Sequence, residues 1–121
     1  MGIQVLGITE QMAWAATAAL CFMVLDIITG TVKGAVTHTL NSTKAREGLA
    51  HKGSFVLIIV LAWMCEFFVL HVPDLGFNVP LCIPACVAIC LTEVMSIVEN
   101  LAEINPELKD SKLLGLFGKE E

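Results

Sequence analysis

The side chains in this sequence that could do chemistry stand in unusual places. Asp26, Glu66, Glu93 and Glu99 lie inside or at the ends of long apolar runs, and Glu103 follows one helical turn after Glu99. An ionised side chain at the centre of a bilayer costs roughly 2.5–3.5 kcal/mol on insertion scales. Each acid therefore needs a proton, a partner or a wet cavity. The chemistry on offer is proton binding, ion pairing or the lining of an aqueous path. Covalent catalysis is not on offer. No nucleophile is paired with a base, no glycine loop could cradle a phosphate chain, and no zinc spacing occurs. The chain reads as a non-enzyme that needs no cofactor.

The five cysteines, Cys21, Cys65, Cys82, Cys86 and Cys90, all fall in apolar runs without a C-x-x-C pair. They read as small core residues, although Cys82, Cys86 and Cys90 share one helical face. No metal ligand set is assigned. No basic face interleaves with aromatics, so nucleic acid is not an expected partner.

The elements that must position these acids follow from composition. The chain has 121 residues, of which 56% are hydrophobic and 16% charged. Soluble domains average roughly 45–50% apolar and about 25% charged. The apolar residues come in three runs, at about 11–36, 53–72 and 81–104, each as long as the ~20 residues that a spanning helix requires. Helix is the expected form, because backbone groups in hydrocarbon must pair locally. The third run, with Thr92, Glu93, Ser96, Glu99, Asn100 and Glu103, could instead lie in the interface. Residues 73–80, "PDLGFNVP", read as a tight turn. Residues 105–121 form a polar tail in which "SKLLGLFGK" is a frayed end or a brief interfacial anchor. There is no internal repeat, and the chain is expected to form a single membrane domain over 1–121. The start "MGIQVLGITEQ" lacks the basic region of a signal peptide, and Leu6 breaks the myristoylation pattern.

Orientation follows from the basic residues. Lys33, Lys44, Arg46 and Lys52 flank or fill the first connection, 37–52, and Lys109, Lys112 and Lys119 lie in the tail. Three spans put all seven on one side, which the positive-inside rule makes cytoplasmic. The N-terminus is then outside and the C-terminus inside. In the basic stretch "NSTKAREGLAHK", Asn41 or Ser42 is placed to cap the helix that runs into the second span. Glu47 and His51 form an i, i+4 pair on that helix. Lys44, Arg46 and Lys52 can hold anionic headgroups of membrane lipids at about 1 kcal/mol each. Lys33 is expected to snorkel to the surface or to meet an acid on another helix.

At 100° per residue, Ala85, Ala88, Thr92, Ser96, Glu99 and Glu103 fall within about 40° of one line on the third helix. Glu93 and Asn100 flank this stripe. In the first helix, Ala15 and Ala19, then Gly30 and Gly34, are small-xxx-small pairs that favour close helix association. The expectation is that the small face of the first helix packs against the polar stripe of the third. Glu66 reads either as a neutral, hydrogen-bonded acid at a helix interface or as a pore-facing, proton-sensitive group. Three helices alone enclose no lumen, so a water path would need several copies. The chain is expected to form a homo-oligomer.

Three stretches together resemble the toxin-secretion/phage lysis holin family: "LDIITGTVKGAV", "NSTKAREGLAHK" and "EVMSIVENLAEI", in the family's order. The resemblance implies a protein of the bacterial cytoplasmic membrane that accumulates, oligomerises and opens a lesion. Through it a cell-wall hydrolase, or in some relatives a large toxin, leaves the cell without specific binding. By motif, it carries over Asp26, Thr29, Gly30, Lys33, Ser42, Lys44, Arg46, Gly48, Lys52, Ser96, Glu99 and Asn100. The cysteine-rich third span and the tail ending "GKEE" depart from the pattern. The alternatives are a small proton-coupled transporter built on a lone membrane acid, such as Asp26 or Glu66, and an inert membrane scaffold.

Overall fold

A computed structural model describes residues 5–72, 74 and 80–110. Most of the expected turn at 73–80 and the end of the tail, 111–121, lie outside the described residues. The described part is helical, with α1 at Glu10–Thr37, α2 at Ser42–His71, α3 at Cys82–Ile104 and a short 3-10 turn at Pro106–Asp110. Each of the three long helices is long and apolar enough to cross a membrane.

Local signals explain the boundaries. Thr9 caps α1, its hydroxyl accepting the Met12 N–H at 3.1 Å. The helix ends on His38 in the left-handed region, φ 58° and ψ 39°, and the N–H groups of His38 and Thr39 both reach the Gly34 carbonyl. Asn41 then caps α2, accepting from Thr43 at 2.8 Å and Lys44 at 3.2 Å. The basic connection is therefore mostly helix. Only residues 38–41 link α1 to α2, and residues 42–52 extend α2 by three turns below the expected span. His51 packs edge-on against Phe55, and no ion pair joins it to Glu47 among the described residues.

α1 and α3 run parallel and pack along their length, while the antiparallel α2 touches them along a narrow seam. The core joins Met12, Ala19 and Met23 of α1 to Cys82, Cys86 and Ile89 of α3, with Ala62 from α2. Ala62 is the single buried residue of α2. Its seam recurs at helical spacing as Lys52, Phe55, Ile59, Ala62 and Glu66. The outer side of α2 carries exposed Leu57, Leu61 and Leu70. In a bilayer such a surface faces acyl chains or other helices, whereas in water it would be an aggregation hazard. Trp63 packs on Phe67 and donates to the Leu6 carbonyl at 2.8 Å, tying the N-terminal segment to α2.

Candidate functional site

Two polar clusters sit on the seam, one near each end of the bundle. In the first, Lys52 of α2 reaches between the other helices. Its Nζ lies 2.7 Å from Asp26 Oδ2 on α1 and 2.7 Å from Glu93 Oε1 on α3. The side chains are 14%, 15% and 3% exposed respectively, so water does little to screen the contacts. Asn100, one α3 face below Glu93, donates to Asp26 Oδ1 and to Thr29 Oγ1, both at 3.0 Å. Thr29 in turn donates to the Asp26 carbonyl at 3.2 Å. No buried side-chain nitrogen or oxygen among the described residues lacks a partner. Helix geometry sets up this meeting. Asp26 lies 11 residues before the end of α1, Lys52 ten after the start of α2, and Glu93 11 before the end of α3. At 1.5 Å per residue all three stand about 15–17 Å from the same end of the bundle.

The second cluster centres on Glu66. Leu81, at the start of α3, offers no side-chain cap. The carboxylate of Glu66 supplies one from α2, Oε2 accepting the N–H of Leu81 at 2.7 Å and that of Cys82. A negative group at a helix N-terminus satisfies orphan donors and complements the helix dipole. Glu66 thus accepts hydrogen bonds at a helix interface, which is the place that the first of its two expected readings gives it. Lys52 and Glu66 fasten the two ends of the α2 seam, and Phe55, Ile59 and Ala62 fill it between them.

The other expected positions separate by face. Glu93 and Asn100 are buried, whereas Thr92, Glu99 and Glu103 are exposed and Ser96 is half-buried. The face of α3 turned to α1 carries Cys82, Cys86, Ile89, Glu93, Ile97 and Asn100, about a quarter turn from the small-and-polar stripe. The small face of α1 therefore meets the flanking pair, not the stripe itself. Cysteines and isoleucines give that face apolar mass, which a stripe drawn through small and polar residues leaves out. Thr92 turns its hydroxyl onto the Ala88 carbonyl of its own helix at 3.0 Å.

Among the association residues, Ala19 is fully buried and Ala15 packs beside it. A Cβ on Gly30 would lie 3.6 Å from Asn100 Nδ2, so Gly30 lies beside α3. A Cβ on Gly34 would meet Leu40 Cδ2 at 2.8 Å, so Gly34 makes room for its own turn. Of the basic residues, Lys33 is half-buried and Lys44 and Arg46 are exposed. Lys52, expected to serve headgroups, instead turns its ammonium inward.

The arrangement can hold three helices in register with charge and can place polar atoms at a helix seam. It has the form of a small multi-pass membrane protein with a charged interior near one end. The chain matches the Bacteriophage holin family over residues 4–112, and it belongs to that family, whose members are non-enzymatic membrane proteins. No curated protein and no solved structure matches it.

Proposed function

We propose that this chain is a hole-forming holin of the bacterial cytoplasmic membrane, with its N-terminus outside and its C-terminus and all seven basic residues inside. Copies accumulate as closed bundles and assemble into a homo-oligomer. Above a threshold density the helices repack, and polar side chains now held at the seam come to face water. A cell-wall hydrolase or a large toxin then passes through the lesion.

One observation carries this reading beyond family membership. α2 has one buried residue, and its seam is closed at both ends by charged side chains, Lys52 and Glu66. Ionic contacts between helices can be re-formed with water or with the same groups on another copy, so a charged seam can exchange its partners as the helices repack rather than only lose them. The exposed Thr92, Glu99 and Glu103, with half-buried Ser96, offer a further polar face to neighbouring copies. A transporter reading rests on a lone membrane acid. Asp26 shares Lys52 with Glu93 and binds Asn100, and Glu66 caps a helix, so neither is such a group.

The test is co-expression in a bacterium with a peptidoglycan hydrolase that lacks an export signal. Abrupt lysis that needs both proteins, with release of a protein-sized cytoplasmic reporter, is the expected result. Full membrane accumulation without release would overturn the proposal.

A further inference from the structure

Beside the ionic cluster, a cleft of about 320 Å³ opens between the end of α1 and the start of α2. Its polar lining includes Asp26, Lys33, Lys44, Lys52, Ser96 and Asn100, and its apolar wall includes Ile27, Leu40 and Leu49. The lining thus holds three lysines against one acid. Lys52 is committed to Asp26 and Glu93. Lys33 and Lys44 make no ion pair among the described residues; with Lys52 set against both Asp26 and Glu93, the cleft and its ionic cluster keep one positive charge in excess.

Gly48 gives the second observation. It sits within α2, where glycine is among the least favourable residues. A Cβ there would meet nothing within 4 Å, as at Gly53 in the same helix, so no neighbour in the chain requires either missing side chain; what distinguishes Gly48 is its place on the cleft. Gly48 lines the cleft, and any larger residue would fill the space it leaves.

We propose that this cleft is a phosphate-binding site, in which Lys33 and Lys44 hold the phosphodiester of an anionic phospholipid and Gly48 leaves room for it. The location favours a lipid. The cleft lies at the ends of spanning helices, where headgroups lie, and its apolar wall continues toward the acyl region along Leu49 and Ile27. Lysines act as point charges toward phosphate and need no fixed fork geometry. The site depends on the chain spanning a bilayer, and is independent of whether the assembled protein opens a lesion.

The test is native mass spectrometry of the full chain released from detergent micelles, titrated separately with phosphatidylglycerol, phosphatidylcholine and inorganic phosphate. Phosphatidylglycerol should bind and survive release. Loss of two basic contacts, each worth about five-fold, should weaken binding by K33Q/K44Q at least about ten-fold. G48L should weaken it comparably by occupying the space, with no change of charge and with helix content intact by circular dichroism. Arg46 lies outside the lining, so R46Q should cost less than about three-fold. Inorganic phosphate that binds and displaces the lipid with the same variant pattern would support the phosphate site and assign it to a free anion. Three results would overturn the site: wild-type binding by K33Q/K44Q or by G48L, equal loss in R46Q, or phosphatidylcholine binding as well as phosphatidylglycerol.

Discussion

Lys52→Met strands two carboxylates while keeping the length of the side chain. In the folded bundle the ammonium makes two contacts of 2.7 Å, to Asp26 and to Glu93. Hydrogen bonds between charged groups are worth roughly 1.5–3 kcal/mol each, which sets a gross loss of about 3–6 kcal/mol. Two effects cap it. An ordinary carboxyl at neutral pH can take up a proton for about 4 kcal/mol, so a stranded acid escapes by neutralising. Asp26 also keeps its bond from Asn100 at 3.0 Å. The expected destabilisation is therefore about 3–5 kcal/mol, in line with removing one partner of a buried ion pair. Unfolding in detergent, followed by the fluorescence of Trp63 on α2, measures it. The neutral triple variant D26N/K52M/E93Q should recover more than half of the loss, because no charge is left unpaired. A loss under about 1 kcal/mol would place Lys52 among ordinary membrane polar contacts, which average about 0.6 kcal/mol. That result, or a triple variant no more stable than K52M, would refute the role given to the cluster.

Glu66→Gln replaces the carboxyl that caps α3 with an amide and should cost about 1 kcal/mol. Glu66→Leu leaves the Leu81 and Cys82 N–H groups without their acceptor and should cost about 2–4 kcal/mol, with faster hydrogen exchange at those two amides. His38→Gly should stabilise the bundle by about 0.5–1 kcal/mol, because His38 holds φ 58°, where a Cβ is disfavoured; the thermal midpoint in detergent reads the sign. Ser96→Leu and Glu99→Leu should each delay or abolish lysis while membrane insertion, judged by fractionation, stays at the wild-type level. Normal lysis timing in both would show that this side of α3 never faces water.

Three helices long and apolar enough to cross a membrane, a cap at Asn41 or Ser42, which the structure places at Asn41, and the family were legible in the sequence. Hydropathy runs and cap residues are local signals, and the motifs lie in order along the chain. The ionic cluster was only half legible. Asp26 and Glu93 announce themselves as acids in grease, but Lys52, on the helix capped at Asn41 or Ser42, falls in a basic stretch that points to headgroups rather than to acids as its partners. Once α2 begins at Ser42, Asp26 and Lys52 stand at matching depths about the turn, and the pair can be counted out at 1.5 Å per residue. The role of Glu66 was not legible. Its partners are the backbone amides of Leu81 and Cys82, and no side-chain pattern reports where the start of a later helix will dock. The rotation of α3 differs from the expected one for a related reason. Small and polar residues mark one face for packing, while the bulk of Cys86, Ile89 and Ile97 turns a neighbouring face to α1.

In the proposed function, this protein opens the cytoplasmic membrane after a period of harmless accumulation. Single-cell imaging with a potential-sensitive dye, alongside a quantified membrane fraction, tests it most directly. Unchanged potential and growth are expected while the protein builds up, then complete and abrupt collapse in each cell. Accumulation to the same membrane level with potential and viability intact would contradict it.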